Sequence, residues 1–139
     1  MSRRKARELA FKMLFAIHEG KNTIEEAAEI VLSSSINEQQ KDFIFKEVRG
    51  TLEHLEVIDK TIQKYLSAWD LERLAGTDRN ILRLAIYEML FCEDIPVSVS
   101  INEAVDMAKK YCDEQSYKYI NGLLGAVAKE EIKRESSGG

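Results

Sequence analysis

The sequence predicts an all-α protein with about seven helices in two packed helical sub-bundles. Apolar residues recur at helical spacing along most of the chain, and no segment shows the sustained alternation that is typical of a strand. One proline and seven glycines are also too few for the many turns of a β-sandwich or barrel. Because 139 residues make up about one domain, we expect a single domain over residues 1–134, followed by a disordered polar tail over 135–139.

Four helices are predicted in the first half of the chain. The first begins after Ser2, which can cap it, and ends near Gly20. Its apolar stripe consists of Ala6, Leu9, Ala10, Met13, Leu14 and Ile17. Thr23 and Glu26 form a capping box that starts the second helix, and Asn37 opens the third. The fourth helix has apolar residues at helical spacing, namely Ile58, Ile62, Tyr65 and Leu66.

Three further helices are predicted after an irregular stretch around Trp69, where we expect the two sub-bundles to separate. Thr77 caps the fifth helix, whose apolar residues cover nearly all of its faces: Ile81, Leu82, Leu84, Ala85, Ile86, Met89 and Leu90. A helix of this kind is normally central and buried. Ser100 and Glu103 form a capping box for the sixth helix, and the seventh covers about residues 116–132.

The composition argues against a membrane or secreted protein. The chain has no run of about 18 apolar residues, and its charged N-terminus lacks the apolar segment of a signal peptide. The two cysteines, Cys92 and Cys112, are too few for a disulfide scaffold and do not form a CxxC motif. With only His18 and His54 beside them, no metal site is expected. A reducing, cytoplasmic location fits this usage best.

Catalytic motifs are missing from the sequence. It contains no phosphate-binding loop, no dinucleotide fingerprint, no HExxH and no GxSxG. Paired carboxylates such as Glu25 and Glu26 lie among polar residues, as on a solvated helix face. We therefore expect a protein that is not an enzyme and that needs no cofactor.

The charge distribution singles out the first helix. The net charge is −4, yet residues 1–15 contain five basic groups and one acidic group. Four of the basic groups lie in the first turns of the helix, where the helix macrodipole disfavours cations. A local rule broken without an evident gain often marks a functional site. A solubilising N-terminal cluster explains the same pattern equally well from the residues alone.

Two phenylalanines also distinguish the first helix. At about 100° per residue, Phe11 and Phe15 fall outside the apolar stripe and beside Arg4 and Arg7. Arginine makes forked contacts with phosphate, and aromatic rings stack on unpaired bases. Aromatic residues at helical spacing more commonly pack against a neighbouring helix. Contact with a protein partner would also explain one of the two phenylalanines as well as contact with RNA would.

Four segments occur in a specific order and spacing. They are RRKARELAFKMLF at 3–15, DRNILRLAIYEML at 78–90, DIPVSVSINEAVDMAKKY at 94–111 and KYINGLLGAVA at 118–128. Together they resemble the NusB family of bacterial transcription antitermination factors. The resemblance implies a NusB-like RNA-binding domain, all-helical and built from two perpendicular sub-bundles.

The resemblance also implies a function. Members of the family bind the boxA element of ribosomal RNA leaders together with NusE, a ribosomal protein, and join the RNA polymerase elongation complex with other Nus factors. It assigns RNA binding to Arg3, Arg4, Lys5, Arg7 and Lys118. It assigns contact with the protein partner to Phe15, Glu72 and Asp78.

Two alternatives remain open at this point. The first is an all-α protein–protein scaffold whose basic helix only solubilises the chain and binds no specific RNA. The second concerns Asp78 alone, since an acidic residue in the first turn of a helix is favoured by the macrodipole without any partner. We expect structural roles for three polar residues of the matching segments, namely Asn102, Glu103 and Asn121.

Overall fold

The computed structural model describes residues 2–66 and 70–132, and these ranges contain seven α-helices, one short 3-10 helix and no strand. The α-helices are α1 (Arg3–His18), α2 (Ile24–Val31), α3 (Glu38–Glu53), α4 (Leu55–Lys64), α5 (Gly76–Phe91), α6 (Val97–Tyr111) and α7 (Glu114–Glu131). The 3-10 helix, Leu71–Arg73, precedes α5. The all-α prediction is confirmed. The predictions for Trp69 and for the tail 135–139 concern positions outside the described residues.

Helix starts agree with the sequence where a side chain caps the helix. The Ser2 hydroxyl accepts a hydrogen bond from the Lys5 backbone N–H, and the capping box of Thr23 with Glu26 is formed in full. A second capping box, of Asn37 with Gln40, starts α3. These three caps confirm the predicted starts of α1, α2 and α3.

Two predicted caps are wrong because the helices begin earlier. The fifth helix starts at Gly76, before Thr77, without a side-chain cap. The side chain of Glu19, at the end of α1, lies against this start, and its Cδ would be 2.7 Å from a Cβ placed at Gly76. The sixth helix starts at Val97, directly after Pro96, so Ser100 lies inside it.

Helix α5 is the centre of the fold, as its apolar faces predict. It packs against α1, α3, α4, α6 and α7, and its residues Leu82, Ala85, Ile86 and Met89 are buried. Helices α1, α2 and α3 pack on one another through α1, whereas α6 packs on α7. A Cβ at Gly50 of α3 would overlap the Tyr87 ring, so glycine is required for this close approach. The start of α1 lies between α3 and α6, since Arg3 contacts Phe43 of α3 and Arg4 bonds to α6.

Candidate nucleic-acid and protein interface

The basic first turns of α1 are compensated by carboxylates from α6. The Arg4 Nε donates to Glu103 Oε2 over 2.9 Å, and its Nη2 donates to Asp106 Oδ2 over 2.8 Å. These ion pairs offset the unfavourable placement of cations at a helix N-terminus. They also attach the start of α1 to the outer face of α6.

Arg3 and Arg4 present guanidinium groups to solvent. The Arg3 Cζ lies 4.0 Å above the centre of the Phe43 ring of α3, in a cation–π arrangement. The Arg4 side chain is 64% exposed and uses two of its five N–H donors in the contacts to α6. Both groups therefore retain donors that can reach a phosphate.

Arg7 differs from the other arginines because it is only 5% exposed. Its Nε donates to Glu88 Oε2 over 2.8 Å, and its Nη1 lies 3.6 Å from Glu103 Oε1. The Glu88 Oε1 accepts from the Ser100 hydroxyl over 2.7 Å. Arg7 lies outside the apolar stripe of α1 and is nevertheless buried, because it has a charged partner inside the fold.

A second buried carboxyl, Glu47 of α3, completes this cluster. Burial and the hydrogen bond with Glu88 raise the pKa of Glu47 to about 10, so Glu47 is a neutral acid at pH 7. Its Oε1 has no hydrogen-bond partner among the described residues. Sequence reasoning missed both groups, although a glutamate within the apolar segment LRLAIYEML was a signal that a charge is buried there.

Lys5 and Lys118 are solvent-exposed cations. The Lys5 Nζ lies 3.6 Å from Glu8 Oε1, and the Lys118 Nζ lies 3.1 Å from Glu114 Oε1, one turn away on α7. The Lys118 pair is exposed on both sides and contributes about 0–1 kcal/mol. The Lys5 pair is loose because its two atoms lie 3.6 Å apart, which is too far for a good hydrogen bond. Such weak pairing leaves both ammonium groups able to exchange their partner for a phosphate.

Glu8 anchors α1 to the C-terminal end of α6. Its Oε1 accepts from Lys110 Nζ over 2.8 Å and from the Tyr111 hydroxyl. Burial alone would raise the pKa of Glu8, but the hydrogen bonds from Lys110 and Tyr111 and the charge of Lys5 outweigh burial and lower it to about 2. The carboxylate is thus ionised throughout the neutral range.

The two phenylalanines of α1 have different environments. Phe11 is buried, and its ring centre lies 5.2 Å from that of Tyr111. Phe15 is 38% exposed, and its ring centre lies 6.4 Å from that of Phe11. Packing on a neighbouring helix therefore accounts for Phe11, whereas Phe15 offers an aromatic surface to a partner.

The two acidic residues assigned to the partner surface are not equivalent. Glu72 is exposed. Asp78 is only 8% exposed, and its Oδ2 accepts from the Ser116 hydroxyl of α7 over 2.8 Å. Burial and the adjacent Asp78 carboxylate raise the pKa of Cys112 to about 12. Asp78 therefore joins α5 to α7, and of the two carboxylates the structure exposes Glu72 to a partner.

Arg79 is a positioning residue that the sequence analysis did not identify. Its Nη1 donates to the backbone carbonyls of the 3-10 helix region, namely those of Leu71, Glu72 and Leu74. Its Nη2 donates to both Glu19 oxygens, over 2.9 and 2.8 Å. This guanidinium thereby holds the segment with Glu72 against the end of α1, the helix that carries Phe15.

The polar residues of the INEA and NG segments depart from their predicted structural roles. Because α6 begins at Val97, Glu103 lies inside the helix and does not cap its start. Its carboxylate instead pairs with Arg4 and Arg7. Asn102 and Asn121 are exposed, and within the described residues neither side chain forms a hydrogen bond. The expectation that Asn121 satisfies buried backbone is therefore wrong, since its amide points away from the packed face of α7.

The described residues contain no group of three histidine, cysteine, aspartate or glutamate side chains placed to hold a metal ion. None of the described helices is both long enough and apolar enough to cross a membrane.

Comparison with known proteins identifies relatives over nearly the whole chain. Residues 4–129 match the NusB family. The chain is 43% identical to the transcription antitermination protein NusB of Thermodesulfovibrio yellowstonii, with 99% of this chain and 98% of that protein covered. It is also 43% identical to the Bacillus subtilis protein of the same name, with 96% and 99% covered.

Solved structures have the same fold. The NusB of T. maritima matches with a TM-score of 0.90 and 40% identity, covering 99% of this chain and 97% of that chain. A crystal structure of the antitermination factors NusB and NusE in complex with double-stranded RNA matches with a TM-score of 0.82 and 32% identity, covering 91% and 96%. The fold and the length of the chain thus agree with those of its relatives.

Proposed function

Because the chain belongs to the NusB family, we propose that it is a transcription antitermination factor that binds boxA-type RNA together with NusE. In this role it joins the RNA polymerase elongation complex with other Nus factors, in the cytoplasm and without catalysing a reaction. Residues 1–134 act as one RNA-binding domain. The observation that supports RNA binding most directly is the exposed cationic start of α1 on an otherwise acidic protein.

The contacts with RNA come from exposed cations. Arg3, Arg4 and Lys5 contact phosphates from the start of α1, and Lys118 does so from α7. Arg7 acts through its ion pair with Glu88, which fixes the start of α1 on the central helix. Its role in RNA binding is to position its neighbours rather than to contact phosphate.

Replacing Arg3 and Arg4 with alanine tests the proposal. Charge-assisted hydrogen bonds of this kind contribute about 1.5–3 kcal/mol, so each change should weaken binding to boxA RNA in the presence of NusE by roughly tenfold or more. Each lost phosphate contact should also reduce the slope of log affinity against log salt by about 0.7. Fluorescence titrations at several salt concentrations measure both quantities.

Lys60→Ala is the matched control, because Lys60 is an exposed cation on α4 that pairs with Glu56 one turn away. It should change affinity and salt slope little. If the Arg3 and Arg4 variants match this control, the cationic start of α1 does not contact RNA and the scaffold alternative is favoured.

The surface that contacts NusE consists of Phe15 and Glu72. Asp78 is buried and helps to position this surface. An exposed aromatic ring can fill a pocket of the partner, and a carboxylate complements the basic charge that is general among ribosomal proteins. Arg79 keeps the Glu72 segment against the end of α1. Asp78 contributes through its bond to Ser116, since burial removes it from the surface.

Glu72→Lys should slow association with NusE and weaken the complex by about 1–3 kcal/mol if the contact is desolvated, while the melting temperature stays unchanged. Glu93→Lys is the matched reversal, because Glu93 is exposed just beyond the opposite end of α5, a helix of about 24 Å. Stopped-flow kinetics measure the association rate with NusE, and thermal melts measure the stability, for both variants. Equal association rates for the two reversals would remove Glu72 from the interface.

A further inference from the structure

A groove of about 460 Å³ lies between the outer faces of α6 and α7 and is closed at one side by the start of α1. We call it the amide groove, and its polar lining includes Arg4, Asn102, Lys109, Tyr117, Lys118 and Asn121. Its volume is in the range of small-ligand sites, about 300–1,000 Å³. Asn102 and Lys109 are seven positions apart on α6, which is two helical turns, so they lie on one face of that helix.

The amides of Asn102 and Asn121 form no hydrogen bond among the described residues. The two residues come from different helices, line the same groove and are exposed. Each amide offers an acceptor oxygen and two N–H donors, the combination that reads the edge of a base. Two unoccupied amides that face one cavity therefore indicate a ligand with several donors and acceptors.

An aromatic ring and three cations share the groove with these amides. Tyr117 is half-buried, with one part packed on the core, and the Lys109 Nζ lies 5.3 Å from its ring centre. Arg4 and Lys118 add two further positive charges to the groove. Arg4 pairs with Asp106, which also lines the groove, and with Glu103, whereas Lys118 pairs with the exposed Glu114. An anionic ligand with a flat ring fits this combination of charge and aromatic surface.

We infer that the amide groove binds one unpaired nucleotide of the RNA. The base stacks on Tyr117, and Asn102 and Asn121 form hydrogen bonds with its edge. The phosphate contacts the cations that line the groove, namely Arg4, Lys109 and Lys118. The inference rests on the proposed function and adds a base-contacting site to the phosphate contacts. An acidic peptide would use the cations but would leave the ring and both amides without a role.

The stacking contact is tested in the complex with NusE by replacing one nucleotide of a boxA RNA at a time with an abasic residue. With the unaltered protein, loss of the base in the groove should weaken binding by roughly five- to hundredfold. With Tyr117→Leu, binding is weaker overall and the same abasic replacement should cost less than about twofold, because no stacking remains to be lost. Tyr117→Phe retains the ring and should behave like the unaltered protein.

The amides are tested separately by Asn102→Ala and Asn121→Ala. Each should weaken binding by roughly three- to tenfold for the intact RNA and have no effect on the RNA lacking that base. Ser98→Ala, at an exposed position of α6, is the matched control. Because both asparagines are exposed, melting temperatures should be unchanged, so folding does not confound the result.

Several results would overturn the inference. If the abasic penalty is the same in Tyr117→Leu as in the unaltered protein, no base stacks on this ring, while the salt dependence assigned to Arg3 and Arg4 stands. If Lys109→Ala weakens NusE binding without RNA and no abasic position is sensitive, the groove holds an acidic peptide. If the unaltered protein with NusE does not bind boxA RNA at all, the proposed function fails as well.

Discussion

Arg7→Ala should lower the free energy of unfolding by about 3–5 kcal/mol. The change removes the charged partner of Glu88, whose carboxylate is buried in α5. Among the described residues, Glu88 then keeps its hydrogen bonds with the Ser100 hydroxyl and the Glu47 carboxyl. An unpaired charge in the interior costs far more than the loss of an exposed pair. Urea denaturation followed by circular dichroism measures the difference.

Arg4→Ala is the control for this result. Arg4 also pairs with two carboxylates, but its side chain is 64% exposed, so the change should cost about 0–1 kcal/mol. The double variant Arg7→Met with Glu88→Gln replaces the ion pair by an apolar and a neutral group and should recover at least half of the loss. Equal destabilisation by Arg4→Ala and Arg7→Ala would show that Arg7 is not held inside the fold in solution.

The second large effect concerns the pH dependence of stability. In the folded protein the pKa of Glu47 is raised from its ordinary 4.5 to about 10, so over this window the folded state binds one more proton than the unfolded state. The free energy of unfolding therefore falls as the pH rises, by up to about 1.4 kcal/mol per pH unit from this group. Glu47→Gln keeps the shape without the titration, so its stability should decline less steeply between about pH 7 and pH 9.

Glu53→Gln controls for the loss of a carboxylate from the same helix, because Glu53 is exposed at the end of α3. Its pH profile should follow that of the unaltered protein. Glu8 does not interfere, because its pKa is lowered to about 2 and its contribution is lost only as the pH falls below 4.5. Parallel profiles for Glu47→Gln and the unaltered protein would mean that Glu47 is ionised in the folded state.

The prediction for Arg7 and its Arg4 control separates neighbouring residues of one motif. Arg3 and Arg4 are exposed and face solvent, whereas Arg7, one turn later, is an internal ion-pair partner. A variant in which all three arginines are replaced would therefore lose RNA binding partly through unfolding. Only variants of Arg3 and Arg4 report on RNA contact without this complication.

The sequence by itself determined the all-α class, the central position of α5 and the family. Each depends on a local or periodic signal: the caps at Ser2, Thr23 and Asn37, the apolar faces of α5, and the order of four motifs. Such signals act within one helix, so they can be read without knowing which helices meet.

Only the tertiary structure decided which polar side chains are buried and which are available to a partner. Arg7 lies inside because Glu88, 81 positions away in the chain, provides its counter-charge, and Asp78 is removed from the surface by Ser116 of α7. Asn102 and Asn121 became candidates for base recognition because the packing of α6 on α7 places them on one groove without a partner. The energy of a polar group depends on what surrounds it in space, and those neighbours come from distant parts of the chain.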